Sequence, residues 1–234
     1  VEEQVEKPKK RSLKQRLKGE GKKQKKRKRK IVKKNRVAID IGSKNIKIVE
    51  GMYDGKGINI KNLTIFPTPE NSYNDGQIQD MNALRNAINS AMLNEKIETK
   101  DVIYTIESKA IISRDIEFPS VVDKDIEQML EFEIGEYFPV NLEEYIIQSK
   151  IVEQIDTEEQ KKSIVSTSIL PKKIGEEYIA LTQSLNLRPV ALDMNDNSIF
   201  KLLNEAFMNN GDGEYSNATV AIVDIGFINT NITI

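Results

Sequence analysis

Two stretches far apart in the chain carry nearly the same short text. Arg36–Gly51 reads RVAIDIGSKNIKIVEG, and Val220–Ile234 reads VAIVDIGFINTNITI. In each, an alternating strand reaches an aspartate, breaks at a glycine-containing turn and resumes as a second alternating strand, which is the pattern of a hairpin. The two agree at Asp40 and Asp224, Ile41 and Ile225, Gly42 and Gly226, and Asn45 and Asn229. This is a hairpin used twice rather than a short-period array. Glycine lets the backbone approach a ligand closely, and successive amides in such a turn can converge on an anion. An aspartate at a strand end does not itself welcome a phosphate; it can hold Mg²⁺ through water. Two such turns facing each other would form a phosphate clamp, with Lys47 in reach of a terminal phosphate as a point charge. A single Asp-x-Gly-Ser between strands is ordinarily a turn and nothing more. Recurrence in the same strand context, with Lys47 and Thr230 also in place, favours the clamp.

Other chemistries are narrowed by what the chain lacks. It has no cysteine and no histidine, so disulfides, thiolate or imidazole metal sites and His-assisted nucleophiles do not arise. No Gly-x4-Gly-Lys-Ser/Thr and no Gly-x-Gly-x-x-Gly is present. No apolar run reaches the ~18–20 residues of a membrane span. The formal net charge of −1 hides an asymmetry: residues 1–36 hold 18 Lys/Arg against 4 Asp/Glu, and residues 37–234 hold 17 against 32. Residues 1–35 therefore read as a disordered basic arm, with too little apolar content to offset the entropy of ordering.

Along the rest of the chain, strands are expected at Val37–Ile41, Ile46–Tyr53 and Asn59–Phe66, followed by a loop at Phe66–Gln77. Asp80 caps a helix with Met81, Leu84, Ile88 and Ala91 on one face. Asp101–Ile106 and Ala110–Phe118 read as strands, and Lys124–Tyr137 as a helix. Tyr145–Ile155 and Ser163–Leu170 are strands; Pro171 opens a helix carrying Ile174, Tyr178, Leu181 and Leu185. A short strand at Val190–Met194 and a helix at Ser198–Met208 precede the second hairpin. The order is mixed α/β, and residues 101–192 form a unit that reads as a small inserted α+β subdomain.

The two hairpins resemble the first and second phosphate motifs of the actin-like ATPase superfamily. Within it, IISRDIEFPSV (Ile111–Val121), MLEFEIGEYFPVNLEEY (Met129–Tyr145) and SIVSTSILPKKIGEEYIALTQSLNLRPVALDM (Ser163–Met194) resemble the PilM family of type IV pilus assembly proteins, which is similar to the division protein FtsA. The resemblance covers about residues 36–234. It implies an α/β fold with an actin-like, ribonuclease H-like core: 36–100 and 193–218 as the first core subdomain, 101–192 as the insert, and 219–234 as the start of a second subdomain that is truncated here. With that second half incomplete, nucleotide is expected to bind poorly to the chain as it stands.

The resemblance further implies ATP and Mg²⁺ as ligands, with at most slow turnover. Asp40, Gly42, Ser43, Lys44, Asn45 and Lys47 would meet phosphate and metal from one side, and Asp224, Gly226, Asn229 and Thr230 from the other. Asp40 and Asp224 would hold Mg²⁺ through water, and Asp193 would position water or metal for catalysis. The implied partner is the cytoplasmic N-terminal peptide of a PilN-like inner-membrane protein, with Ile134, Tyr137, Phe138 and Val140 as the apolar groove that takes it. A cytoplasmic location, peripheral at the inner face of the membrane, follows, with the basic arm drawn to anionic lipid. The arm has no aromatic residues to stack on bases, which speaks against nucleic acid. An FtsA-like, self-associating division or filament protein is the alternative, and a sugar kinase-like enzyme ranks behind both.

Overall fold

A computed structural model describes residues 34–55, 57–119, 134–156, 161–210 and 219–233. The chain divides into two units, Val1–Val32 and Lys33–Ile234, and the described residues all belong to the second. The basic arm up to residue 33 lies outside them, as does the expected helix Lys124–Tyr137 apart from its last turn, residues 134–137.

A five-stranded mixed sheet forms the core. β1 (Arg36–Ile41), β2 (Asn45–Tyr53) and β3 (Ile58–Pro67) follow one another as an antiparallel meander, while β6 (Asp101–Ile106) and β10 (Arg188–Met194) extend the sheet in parallel on the other side of β1. The order is β10-β6-β1-β2-β3. Alternation decides the inward face: Val37, Ile39 and Ile41 of β1, Ile46 and Ile48 of β2, and Val102, Tyr104 and Ile106 of β6 are all buried. They pack with α1 (Met81–Asn94) and α2 (Lys172–Ser184), whose buried residues recur at helical spacing: Leu84, Ile88 and Met92 on α1, and Ile174, Tyr178 and Leu181 on α2. Asp80 caps α1 as its sequence predicts, its Oδ1 accepting the Ala83 amide at 2.9 Å. At the entrance to β6, Asp101 is clasped by the Arg188 guanidinium at 2.6 and 2.8 Å, fixing the register of the two parallel strands. Lys34 pairs with the same carboxylate.

A smaller antiparallel sheet of order β7-β9-β8 is built from β7 (Ile112–Pro119), β8 (Tyr145–Asp156) and β9 (Lys161–Pro171). It has its own core of Ile116, Phe118, Val165 and Ile169, closed by Ile134 and Phe138. This narrows the insert expected at 101–192. β6 and β10 belong to the core sheet and α2 to the core's buried cluster, so the separate sheet runs only from Ile112 to Pro171. A strand's alternation shows that it has one buried face, not which sheet it joins.

Two smaller pieces complete the unit. β4 (Tyr73–Asn74) and β5 (Gln77–Ile78) form a tiny hairpin where a plain loop is expected. Its turn residues Asp75 and Gly76 have φ of 47° and 81°, the positive values that an Asp-Gly hairpin turn requires. After β10, α3 (Asn195–Asn210) leads on to β11 (Ile222–Ile225) and β12 (Thr230–Thr233), a two-stranded sheet formed by the second hairpin.

Candidate functional site

The two repeated turns have matching geometry. The Gly42 amide donates to the Asn45 carbonyl at 3.0 Å, and the Gly226 amide to the Asn229 carbonyl at 2.9 Å. In both, a Cβ on the glycine would sit 2.8 Å from that carbonyl oxygen, which backbone cannot yield, so each turn admits only glycine. The strand register is the same in both hairpins, but the residue it sets opposite the aspartate differs. Asp40 faces Lys47 across β1–β2, whereas Asp224 faces Asn231 across β11–β12.

The two aspartates accordingly find different partners. Lys47 Nζ donates to Asp40 Oδ2 at 2.8 Å, forming an ion pair. Asp224 Oδ2 instead accepts from the Asn195 side-chain amide at 3.1 Å, from the first residue of α3. Its hydrogen-bond partner is thus a neutral amide rather than a cation. The hydrogen bond to Asp40 raises the Lys47 pKa; partial burial opposes this, and the charges of Asp40 and Asp224 add to the rise. Lys47 is thereby held protonated by carboxylates from both hairpins.

The turns face each other across a cleft of about 590 Å³, within the ~300–1,000 Å³ usual for small-molecule sites. Its position follows from the sheet. β1, β6 and β10 run parallel, and the residue after each one, Gly42, Glu107 and Asn195, lines the cleft. The carboxyl ends of parallel strands are where α/β sheets bind ligands. Lys44 reaches across the cleft, its Nζ 4.8 Å from the centre of the Phe227 ring, a cation–π contact between the turns. The β4–β5 turn adds a side wall, tied down by the Lys109 amide donating to Asp75 at 3.1 Å. At Tyr73 the wall meets α2, with the Tyr73 and Tyr178 hydroxyls 2.9 Å apart. Burial pushes the Tyr73 hydroxyl up to about 12, so the pair stays neutral.

Asp40, Gly42, Ser43, Lys44, Asn45, Lys47, Asp224, Gly226 and Asn229 all line this one cleft. Thr230 lines an adjoining hollow with Asn229, Glu107 and Lys109. Asp193 does not line the cleft: its carboxylate is taken by Lys201 at 2.5 Å, by Asn197 at 2.6 Å and by the Met194 amide at 3.0 Å. Burial pushes its pKa up, but those donors outweigh burial and hold it below the usual range. Of the four residues expected to form a groove, Ile134 and Phe138 are sealed in the core of the small sheet, and Tyr137 and Val140 pack partly buried against it. Among the described residues no three His, Cys, Asp or Glu side chains converge to hold a bare ion. An ion here would keep much of its water, as Mg²⁺ prefers.

Residues 38–234 match the sequence pattern of the family described as type IV pilus assembly protein PilM. The chain belongs to that family. A solved structure described as the PilM-PilN type IV pilus biogenesis complex is similar at 20% identity and a TM-score of 0.73, covering 87% of this chain and 58% of that one. The chain therefore spans little more than half the length of that neighbour and shares its α/β fold over that part. Two more distant structures are the cytoplasmic domain of EpsL, an inner-membrane component of the type II secretion system of Vibrio cholerae (10% identity, TM-score 0.43, 68% and 57% covered), and a Bacteroides thetaiotaomicron protein with an actin-like ATPase fold (11%, 0.34, 73% and 56%). No curated protein sequence matches. No helix among the described residues of this PilM-family chain is long and apolar enough to cross a membrane.

Sequence reasoning did not find Tyr73, Asp75, Glu107, Lys109 or Asn195, all of which line the cleft. Only Asp75 left a local signal, the Asp-Gly pair of its turn. The others are single residues that acquire meaning when the strand ends come together.

Proposed function

We propose that this chain is the part of a type IV pilus assembly protein that holds Mg-ATP between its two hairpins and uses it to control docking of a partner peptide. The observation that carries the reading is the matched pair of turns facing across one polar cleft at the carboxyl ends of β1, β6 and β10. Lys47, held charged by Asp40, and the backbone of both turns supply the positive side of a phosphate site. Lys44 is the second cation in reach, exchanging its contact with Phe227 for a phosphate oxygen. Asp224, with a neutral partner, is the better of the two aspartates for water-held Mg²⁺. With Asp193 committed to Lys201 and Asn197, the reading rests on binding rather than on rapid turnover.

The neighbour's description names PilN as a partner in its complex, and we assign this chain a PilN-like peptide on that basis. Ile134 and Phe138 being core, the exposed Ile146, Ile147 and Val152 of β8 are the apolar residues of the insert to test instead. A place at the cytoplasmic face of the inner membrane, with residues 1–35 near anionic lipid, accompanies this reading.

The test is calorimetric titration of Mg-ATP into the protein that carries these residues. Asp224→Ala is expected to weaken binding at least tenfold, about 1.4 kcal/mol, and Asp40→Ala, which frees Lys47 from its ion pair, to weaken it less. Equal affinity in wild type and both variants would sink the clamp.

A further inference from the structure

β3 is the outermost strand of the core sheet, with β2 on one side and no strand on the other among the described residues. Such an edge presents unpaired N–H and C=O groups and is a template for another strand. Its stretch Ile58–Ile65 reads INIKNLTI, and Ile58, Ile60, Leu63 and Ile65 are 57, 62, 59 and 57% exposed. Even- and odd-numbered residues share that face because the register against β2 slips. Gly51 pairs with Ile60 and Glu50 with Asn62, which leaves Lys61 as the extra residue of a bulge. Asn62, Thr64 and Phe66 then sit opposite the buried Glu50, Ile48 and Ile46, so the four exposed residues all lie on the face turned away from the helices.

The bulge also makes the strand palindromic. Antiparallel pairing about an axis between Lys61 and Asn62 sets Ile58 opposite Ile65 and Ile60 opposite Leu63, in both directions. No other antiparallel register of β3 against itself sets more than two of the four opposite an apolar partner. Pro67, with no N–H to give, falls at the end of the paired stretch. Lys61, the only charge between Ile58 and Phe66, is 3.3 Å from the buried Glu50 of its own chain and would meet Asn62 of a second copy. No like charges stand directly opposite each other. A foreign strand would need only alternate apolar residues; a self-complementary pattern selects a copy of the same chain.

We propose that two copies of this chain associate through β3, antiparallel and in this register, joining their core sheets into one continuous sheet across a two-fold axis.

The chain has no cysteine, so introduced thiols report one geometry each. Directly opposed residues of an antiparallel pair hold their Cα atoms about 4.5–5.5 Å apart, within disulfide reach. Ile60→Cys mixed with Leu63→Cys is expected to give a linked dimer on mild oxidation, and Ile58→Cys mixed with Ile60→Cys is not. Sedimentation of the unmodified full chain is expected to show dimer mass. Leu63→Glu, at a position more than half exposed in the single chain, is expected to shift that mass to the monomer without changing the far-ultraviolet circular dichroism. A wild-type monomer throughout the micromolar range overturns the proposal and means that other parts of the chain or a different partner cover the stripe. A dimer that survives Leu63→Glu, or linkage equal in both cysteine mixtures, overturns it as well.

Discussion

Tyr178→Ala is expected to cost about 3–5 kcal/mol of unfolding free energy, the range for deleting a large buried aromatic side chain. Tyr178 is 2% exposed, and its ring stands edge-on to Tyr104 with centroids 5.2 Å apart. It lies on α2 between the core and the wall of the cleft. Burial pushes its hydroxyl well above its ordinary value, so the group stays neutral and its bond to Tyr73 holds over the working pH range. Tyr178→Phe keeps the ring and loses only the hydroxyl contact, for about 1 kcal/mol. Denaturant titration with unchanged slope separates the two. A loss under about 1 kcal/mol for the alanine variant would place α2 outside the cooperative core.

The second large effect belongs to Glu50. This carboxylate on β2 is fully buried, yet it accepts Thr99 Oγ1 at 2.5 Å and Asn62 Nδ2 at 2.6 Å and is paired with Lys61. Glu50→Ala would leave Thr99 and Asn62 without their acceptor and a void beneath the bulge, with an expected loss of about 2–4 kcal/mol. Burial pushes the carboxyl pKa up, but the bonds from Thr99, Asn62 and Lys61 outweigh it and bring the pKa below the ordinary 4.5. A depressed carboxylate contributes stability that is complete above its unfolded-state pKa and disappears as pH falls through the folded-state value. The wild type is therefore expected to lose stability below about pH 4.5 more steeply than Glu50→Gln. Parallel pH curves for the two proteins would refute this role.

Much of the fold could be read locally. The strands β1, β2 and β3, the Asp80 cap of α1 and the buried face of α2 follow from spacing alone, because each depends on neighbours two to four residues away. The insert boundary did not, since β6 and β10 read the same whether they pair with β1 or with β7. The apolar spacing at Ile134, Tyr137, Phe138 and Val140 fits a groove and a core alike, because a buried stripe and an exposed one have the same periodicity. Within the site, the turn residues were legible because glycine and aspartate repeat in a fixed strand context. Glu107 and Asn195 were not, since nothing near them in the sequence records that three parallel strands end side by side. Asp193 was placed correctly at a strand end, but Lys201, two turns along α3, takes its charge.

The first hairpin is anchored in a five-stranded sheet, and the second stands as a two-stranded sheet of its own. A two-stranded ribbon is marginal by itself in water. A ligand that touches both turns would tie that ribbon to the core, closing most of the chain into a loop as a reversible cross-link does. It would add to stability in proportion to the logarithm of its concentration. Amide exchange in β11 and β12 would slow the most, so the hairpin with the least support of its own would be the part of the molecule whose order reports ligand occupancy.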